Sequence, residues 1–169
     1  MSKKKKLLVL ILSLTLMLLS FMAWYQYTYS MDEISSFEIN TISNDKKILI
    51  ATQGSAFKNK ITSNIINHYK NDSIYIKVID VDGLSKIYTK DYNAIILIHT
   101  WESWQPPQTV KLFLNRTRLK QKKIIILTTS GSGDAKMKGI DALTGESIIE
   151  NTQNYSEEII KKLEPLLNK

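Results

Sequence analysis

The side chains best placed for chemistry fall in the run KILIATQGSAFK, residues 47–58. An apolar stretch there gives way to a small polar turn, and Ser55, Ala56, Phe57 and Lys58 follow where a helix is expected to start. The first N–H groups of a helix lack internal partners and sit at the positive end of its dipole. A strand, a Gly/Ser/Thr turn and a helix in succession therefore form a natural phosphate cradle. Thr52 and Ser55 supply hydroxyls, residues 56–58 supply backbone N–H groups, and Lys58 adds a point charge. Two later clusters share this small, polar character: Thr100-Trp101-Glu102-Ser103-Trp104 and Thr129-Ser130-Gly131. The tryptophans suit ring stacking or a partner contact, and equally a lid over the edge of a sheet.

Other chemistries are excluded by composition or spacing. The chain has no cysteine, which removes disulfides, thiol catalysis, zinc-thiolate and iron–sulfur sites. His68 and His99 lie far apart without an acid cluster, so no metal site is expected. His99 ends the most apolar run, a place for either a catalytic residue or a hydrogen-bonded core histidine. Phe57-Lys58-Asn59 is not the Gly-Lys-Ser/Thr of a P-loop, and Ser130-Gly131-Ser132-Gly133 lacks one glycine of a Gly-x-Ser-x-Gly elbow. Thr52-Gln53 and His99-Thr100 stand where a phosphoacceptor domain needs carboxylates. No catalytic residue is assigned.

The elements that must position these clusters follow from apolar periodicity. Residues 46–52, 73–81, 93–100 and 124–129 read as strands; the first holds a continuous apolar run, ILIA, of the kind buried on both faces in a parallel sheet, and the third is the most apolar. Helical spacing is found over 57–70, after Pro106-Pro107, and from Asn154 onward, where Glu157 suits a capping box. Residues 135–153 contain no convincing helix, and a fifth strand over 142–148 is left open. Alternating strands and helices imply an α/β three-layer sandwich, with parallel strands in the order 2-1-3-4 and a fifth outermost if it forms. Ligands of such sheets bind beyond the carboxyl ends of the strands, which gathers the three polar clusters on one edge.

The N-terminus is of another kind. Lys3 to Lys6 precede an uncharged apolar run over 7–24 that ends near Trp24-Tyr25, and no small-x-small cleavage site follows. Residues 1–6 read as a cytoplasmic tail, 7–24 as a retained transmembrane anchor, 25–45 as a loosely ordered tether and 46–169 as the domain. The lysines lie before the span and Asp32, Glu33 and Glu38 after it, so the positive-inside rule places the domain outside the cytoplasm, at the cell membrane. The net charge of +7 includes the four tail lysines, and the remainder carries 19 basic against 16 acidic residues. That balance gives no case for nucleic acid. The basic run over 116–123 is expected to be a solvated helix end, and Asp80 and Asp82 to face solvent.

From residue 46 onward, the three loops in this order resemble the flavodoxin-like family, and the chain with its anchor reads as a bacterial-type, single-pass membrane protein. The resemblance implies FMN, with Thr52, Ser55 and the N–H groups of Ala56, Phe57 and Lys58 on the phosphate. It also implies Thr100, Trp101 and Trp104 beside the isoalloxazine, with Thr129, Ser130 and Gly131 closing the edge. The family has a small residue followed by Asn-Thr where this chain has Ala56-Phe57-Lys58. Asp141-Ala142-Leu143-Thr144-Gly145-Glu146-Ser147 is similar to the motif at which extracytoplasmic flavoproteins take FMN as a phosphoester, here on Ser147, but Glu146 replaces the alanine. A plain turn at Thr144-Gly145 is the alternative. Two functions follow. One is a membrane-anchored flavoprotein that transfers electrons to a membrane redox partner. The other is a flavin-free interaction module, in which Phe57 plugs the pocket and the tryptophans meet a membrane or cell-surface protein.

Overall fold

The computed structural model describes residues 2–29 and 31–168, in two compact units, residues 1–31 and 32–169. The first unit is helix α1 (Lys3–Tyr29). Its 23-residue segment Lys3–Tyr25 is long and apolar enough to cross a membrane, a test that a signal sequence also passes. At 1.5 Å per residue it extends about 35 Å, against about 30 Å of hydrocarbon. Leu7 through Leu12 are all more than half exposed.

The second unit contains β1 (Phe37–Ile39), β2 (Lys46–Thr52), α2 (Ala56–Tyr69), β3 (Ile74–Asp80), β4 (Ala94–Thr100), α3 (Gln108–Arg116), β5 (Ile124–Thr129), β6 (Leu143–Gly145) and α4 (Thr152–Leu167). These form one sheet in the order β1-β3-β2-β4-β5-β6. All pairs are parallel except β1 with β3. The parallel strands thus stand second, first, third, fourth, fifth. The expected order holds for the first four and is extended by β6, while antiparallel β1 on the outer edge makes the full order differ.

Burial explains why the runs became strands. Side chains alternate across a strand, so Ile48 and Ile50 enter the layer beneath α2 and α4, while Leu49 and Ala51 enter the layer beneath α3. Both layers are apolar, and residues 48–52 of β2 and 94–99 of β4 are buried on both faces.

Residues 32–45, expected as part of a loose tether, belong to the domain. Ile39 pairs with Ile76, Glu38 makes a 3.0 Å ion pair with Lys77, and Asp32 forms a backbone bridge with Gly54. Asn40 adopts φ 63°, a left-handed conformation that asparagine tolerates, and its side-chain amide donates to Ile74 O at 2.8 Å. A three-residue strand carries too little apolar signal to be read from sequence. Two other boundaries differ. The last helix begins at Thr152 with Asn151 at its cap, and Gln153 rather than Asn154 makes the side-chain bond to Glu157, at 2.8 Å. Between β5 and β6 the chain forms no helix, and Met137, Ile140 and Ala142 cover the sheet there.

Candidate functional site

Adjacent strands β2 and β4 are continued in opposite directions across the sheet, and their carboxyl ends open the crevice where doubly wound folds bind ligands. In this chain the ends are tied to one another. Gln53 N–H donates to Ile98 O at 3.3 Å, Thr100 N–H donates to Gln53 Oε1 at 2.8 Å, and Trp101 N–H donates to Thr129 O at 2.8 Å. The Thr100 and Thr129 hydroxyls meet at 2.8 Å, and Thr52 Oγ1 donates to Gln53 O at 3.1 Å.

The cradle itself has formed and is engaged by its own chain. Ser55 caps α2 in extended conformation, its Oγ accepting from Lys58 N–H at 3.2 Å while Asn59 N–H donates to Ser55 O at 2.8 Å. Gly54 N–H donates to Asp32 O at 2.6 Å, and Asp32 N–H donates back to Gly54 O at 3.1 Å. The strap continues to Ile34, whose N–H donates to the Asp80 carboxylate at 3.1 Å. Gly54 is required by this approach, because a Cβ there would stand 2.6 Å from Asp32 O.

Lys58 is fully buried, with Nζ 3.5 Å from Ser55 Oγ. Burial pushes its pKa down to about 8, partly offset by the charge of Glu102. Phe57 is 2% exposed and packs edge-on against Tyr155, ring centroids 5.9 Å apart, in the layer between the sheet and α4. It does not plug the crevice, as the flavin-free reading had it. Lys58 is the residue buried toward the strand edge.

The remaining candidates separate. Trp101 is half-buried, with its indole N–H enclosed and without an acceptor, whereas Trp104 is 91% exposed. Two reciprocal 3.0 Å backbone bonds join Glu102 and Gln105, and between them Ser103 (φ 51°) and Trp104 (φ 61°) are both left-handed. This is a two-residue turn of the type that normally holds Asn-Gly, and here it carries a tryptophan at its tip. Ser130 is half-buried and its Oγ accepts from Ala135 N–H at 3.4 Å, while Gly131 borders open space. His99 is a core histidine, 1% exposed with Nε2 3.2 Å from Thr128 Oγ1, and burial pushes its pKa down to about 4. Ser147 is exposed beyond β6, and Asp141 is paired with Lys162 at 3.4 Å. Tyr155 OH donates to Thr144 O at 3.2 Å over Gly145, whose Cβ would fall on that hydroxyl.

Sequence reading missed Asp32, Gln53 and Tyr155. The lone glycine of the first loop was the available signal for a close approach.

Part of the cradle is thus engaged by its own chain: the Lys58 N–H is bonded to its own cap and the adjacent Gly54 N–H to a carbonyl.

The order of the parallel strands is that of flavodoxin-type doubly wound sheets. No family model and no curated protein matches the chain. Among solved structures it is similar to an NADPH-quinone reductase from P. pentosaceus, at 15% identity over 69% of this chain and 77% of that one, with a TM-score of 0.34. A likeness at that level carries no argument about what this chain does.

Proposed function

We propose that the chain is a membrane-anchored, extracytoplasmic module of flavodoxin-like fold that binds a protein partner and not FMN. The observation that carries this reading is the self-engaged cradle, in which the Lys58 N–H and the Ser55 hydroxyl that the resemblance puts on a phosphate bond each other, while the neighbouring Gly54 N–H donates to Asp32 O. A second feature supports it. The turn holds Trp104 91% exposed at a backbone angle that costs a bulky residue about 1 kcal/mol, with almost no side-chain packing to offset it. Exposed aromatic residues on rigid turns are frequent anchors of protein interfaces, because few rotamers are lost on docking. Ser147 is left as a surface hydroxyl, with the Glu146 carboxylate next to it in sequence opposing any incoming phosphate.

Two measurements test the reading on the purified full chain and in cells. FMN added to about 100 μM should keep its free fluorescence, whereas binding with a Kd at that concentration, a favourable free energy of about 5 kcal/mol, would already change the signal of half the sites. A photoreactive phenylalanine analogue in place of Trp104 should give a discrete crosslinked band that the same analogue at Tyr88, itself 68% exposed, does not. Stoichiometric FMN binding at micromolar concentration, or identical crosslinking from both positions, overturns the reading.

A further inference from the structure

Strand β6 is three residues long and pairs only with Leu127, Thr128 and Thr129, whereas β5 starts at Ile124. The first half of β5 therefore has an uncovered outer edge. Thr129 O accepts from Trp101 N–H on the β4 side, and Ser130 N–H donates to Gly145 O on the β6 side. Backbone groups alternate along a strand, so those of Ile124 and Ile126 face the open edge. Ile124 N–H is bonded to Gln121 O, and the register Leu127↔Leu143 assigns Ile126 C=O to the Leu143 N–H. Among the described residues no turn or loop hydrogen bond reaches Ile126 N–H or Ile124 C=O, and both residues line the groove beside this edge. An unpaired strand edge is a template for another strand.

A groove of about 850 Å³ runs beside them, with Ile140, Ala142, Leu143 and Leu166 among its walls. Gln121 also lines it, its amide nitrogen buried without an acceptor. The rim is basic: Lys122 and Lys161 are exposed and in no ion pair among the described residues, while Lys162 holds Asp141 and only Glu158 opposes them.

We propose that this slot binds an extended, acid-bearing segment of a partner protein, added to β5 as a strand running parallel to it. One residue of such a segment satisfies both open groups, its N–H on Ile124 O and its C=O on Ile126 N–H, and fixes the register. Alternate side chains enter the apolar groove, and carboxylates meet Lys122 and Lys161. The proposal rests on the interaction-module reading for a protein partner, but uses a surface other than Trp104.

The test is amide hydrogen exchange, by NMR, on the full chain in detergent micelles. The probe is the peptide acetyl-Glu-Val-Glu-Val-Glu-amide at millimolar concentration. Alone, Ile126 N–H should exchange at least about tenfold faster than Ile125 and Leu127, and the probe should slow it by a similar factor. The Lys-Val-Lys-Val-Lys analogue and a probe methylated on its central amide nitrogen should not. Lys122→Glu with Lys161→Glu should reverse the charge preference without unfolding, since both side chains are exposed. Trp104→Ala should leave the effect intact, so loss of the crosslink at Trp104 and loss of peptide protection are separate outcomes. The proposal is overturned if no peptide protects Ile126, if the methylated probe protects equally, or if protection without peptide rises with protein concentration, which would mean edge pairing between copies.

Discussion

Lys58 was recognisable as a cradle residue, but its burial was not. An ammonium at the third position of a helix ordinarily reaches solvent, and what encloses this one is supplied from elsewhere in the chain, by the loops that gather at the strand edge. The consequence is a pH dependence with a definite sign. The folded pKa is lowered to about 8 while the unfolded side chain keeps its ordinary value, so between these pH values the unfolded state binds more protons and stability rises with pH. The penalty is fully present below pH 8 and is relieved on the order of 3 kcal/mol by pH 10. Burial pushes Tyr69 up to about 12, so above pH 10 the folded state holds the extra proton and stability falls again. Denaturant midpoints taken from pH 7 to 11 should therefore peak near pH 10. Lys58→Met should raise the midpoint at pH 7 and abolish the rise, and Glu102→Gln should shift its onset to lower pH. A flat profile in the parent chain would mean that the amine is solvated.

At the scale of elements, β2, β3, β4 and β5 were legible because each is a largely apolar run, for the most part buried on both faces. The edges were not. Strands β1 and β6 are three residues each, and their pairing is dictated by neighbours rather than by their own composition. The Glu102–Gln105 turn was equally hidden, since Ser-Trp is no turn signal for a conformation that favours Asn-Gly. That mismatch yields a prediction separating stability from function. Trp104→Gly places the residue that the left-handed angle prefers at a position with almost no packing to lose. It should stabilise the domain by about 0.5–1 kcal/mol, or raise the melting temperature by roughly 3 °C, while removing the crosslink partner. The strap predicts the opposite. Gly54→Ala drives a Cβ into Asp32 O, so it should cost about 1–3 kcal/mol and expose the Asp32 and Gly54 amides to exchange.

For the whole molecule, the proposed anchoring makes function depend on which side of a membrane the domain occupies, and the sequence carries a signal for this that no fold contains. Lys3–Lys6 precede the apolar segment, whereas Asp32, Glu33 and Glu38 follow it and the next lysines are Lys46 and Lys47. Positive charge within about 15–20 residues of a span sets orientation, and acidic residues contribute little, so the tail lysines are the determinant. If α1 is retained, the protein should sediment with membranes, resist alkaline carbonate, and lose its domain to protease added to intact spheroplasts. Replacing Lys3–Lys6 with glutamine leaves Lys46 and Lys47 as the nearest cations, beyond a segment with no Lys or Arg, and should protect a measurable fraction of the domain from that protease. A domain released intact at full rate would instead identify α1 as a cleaved signal, and the partner engaged by Trp104 would then have to be sought in solution rather than at the membrane.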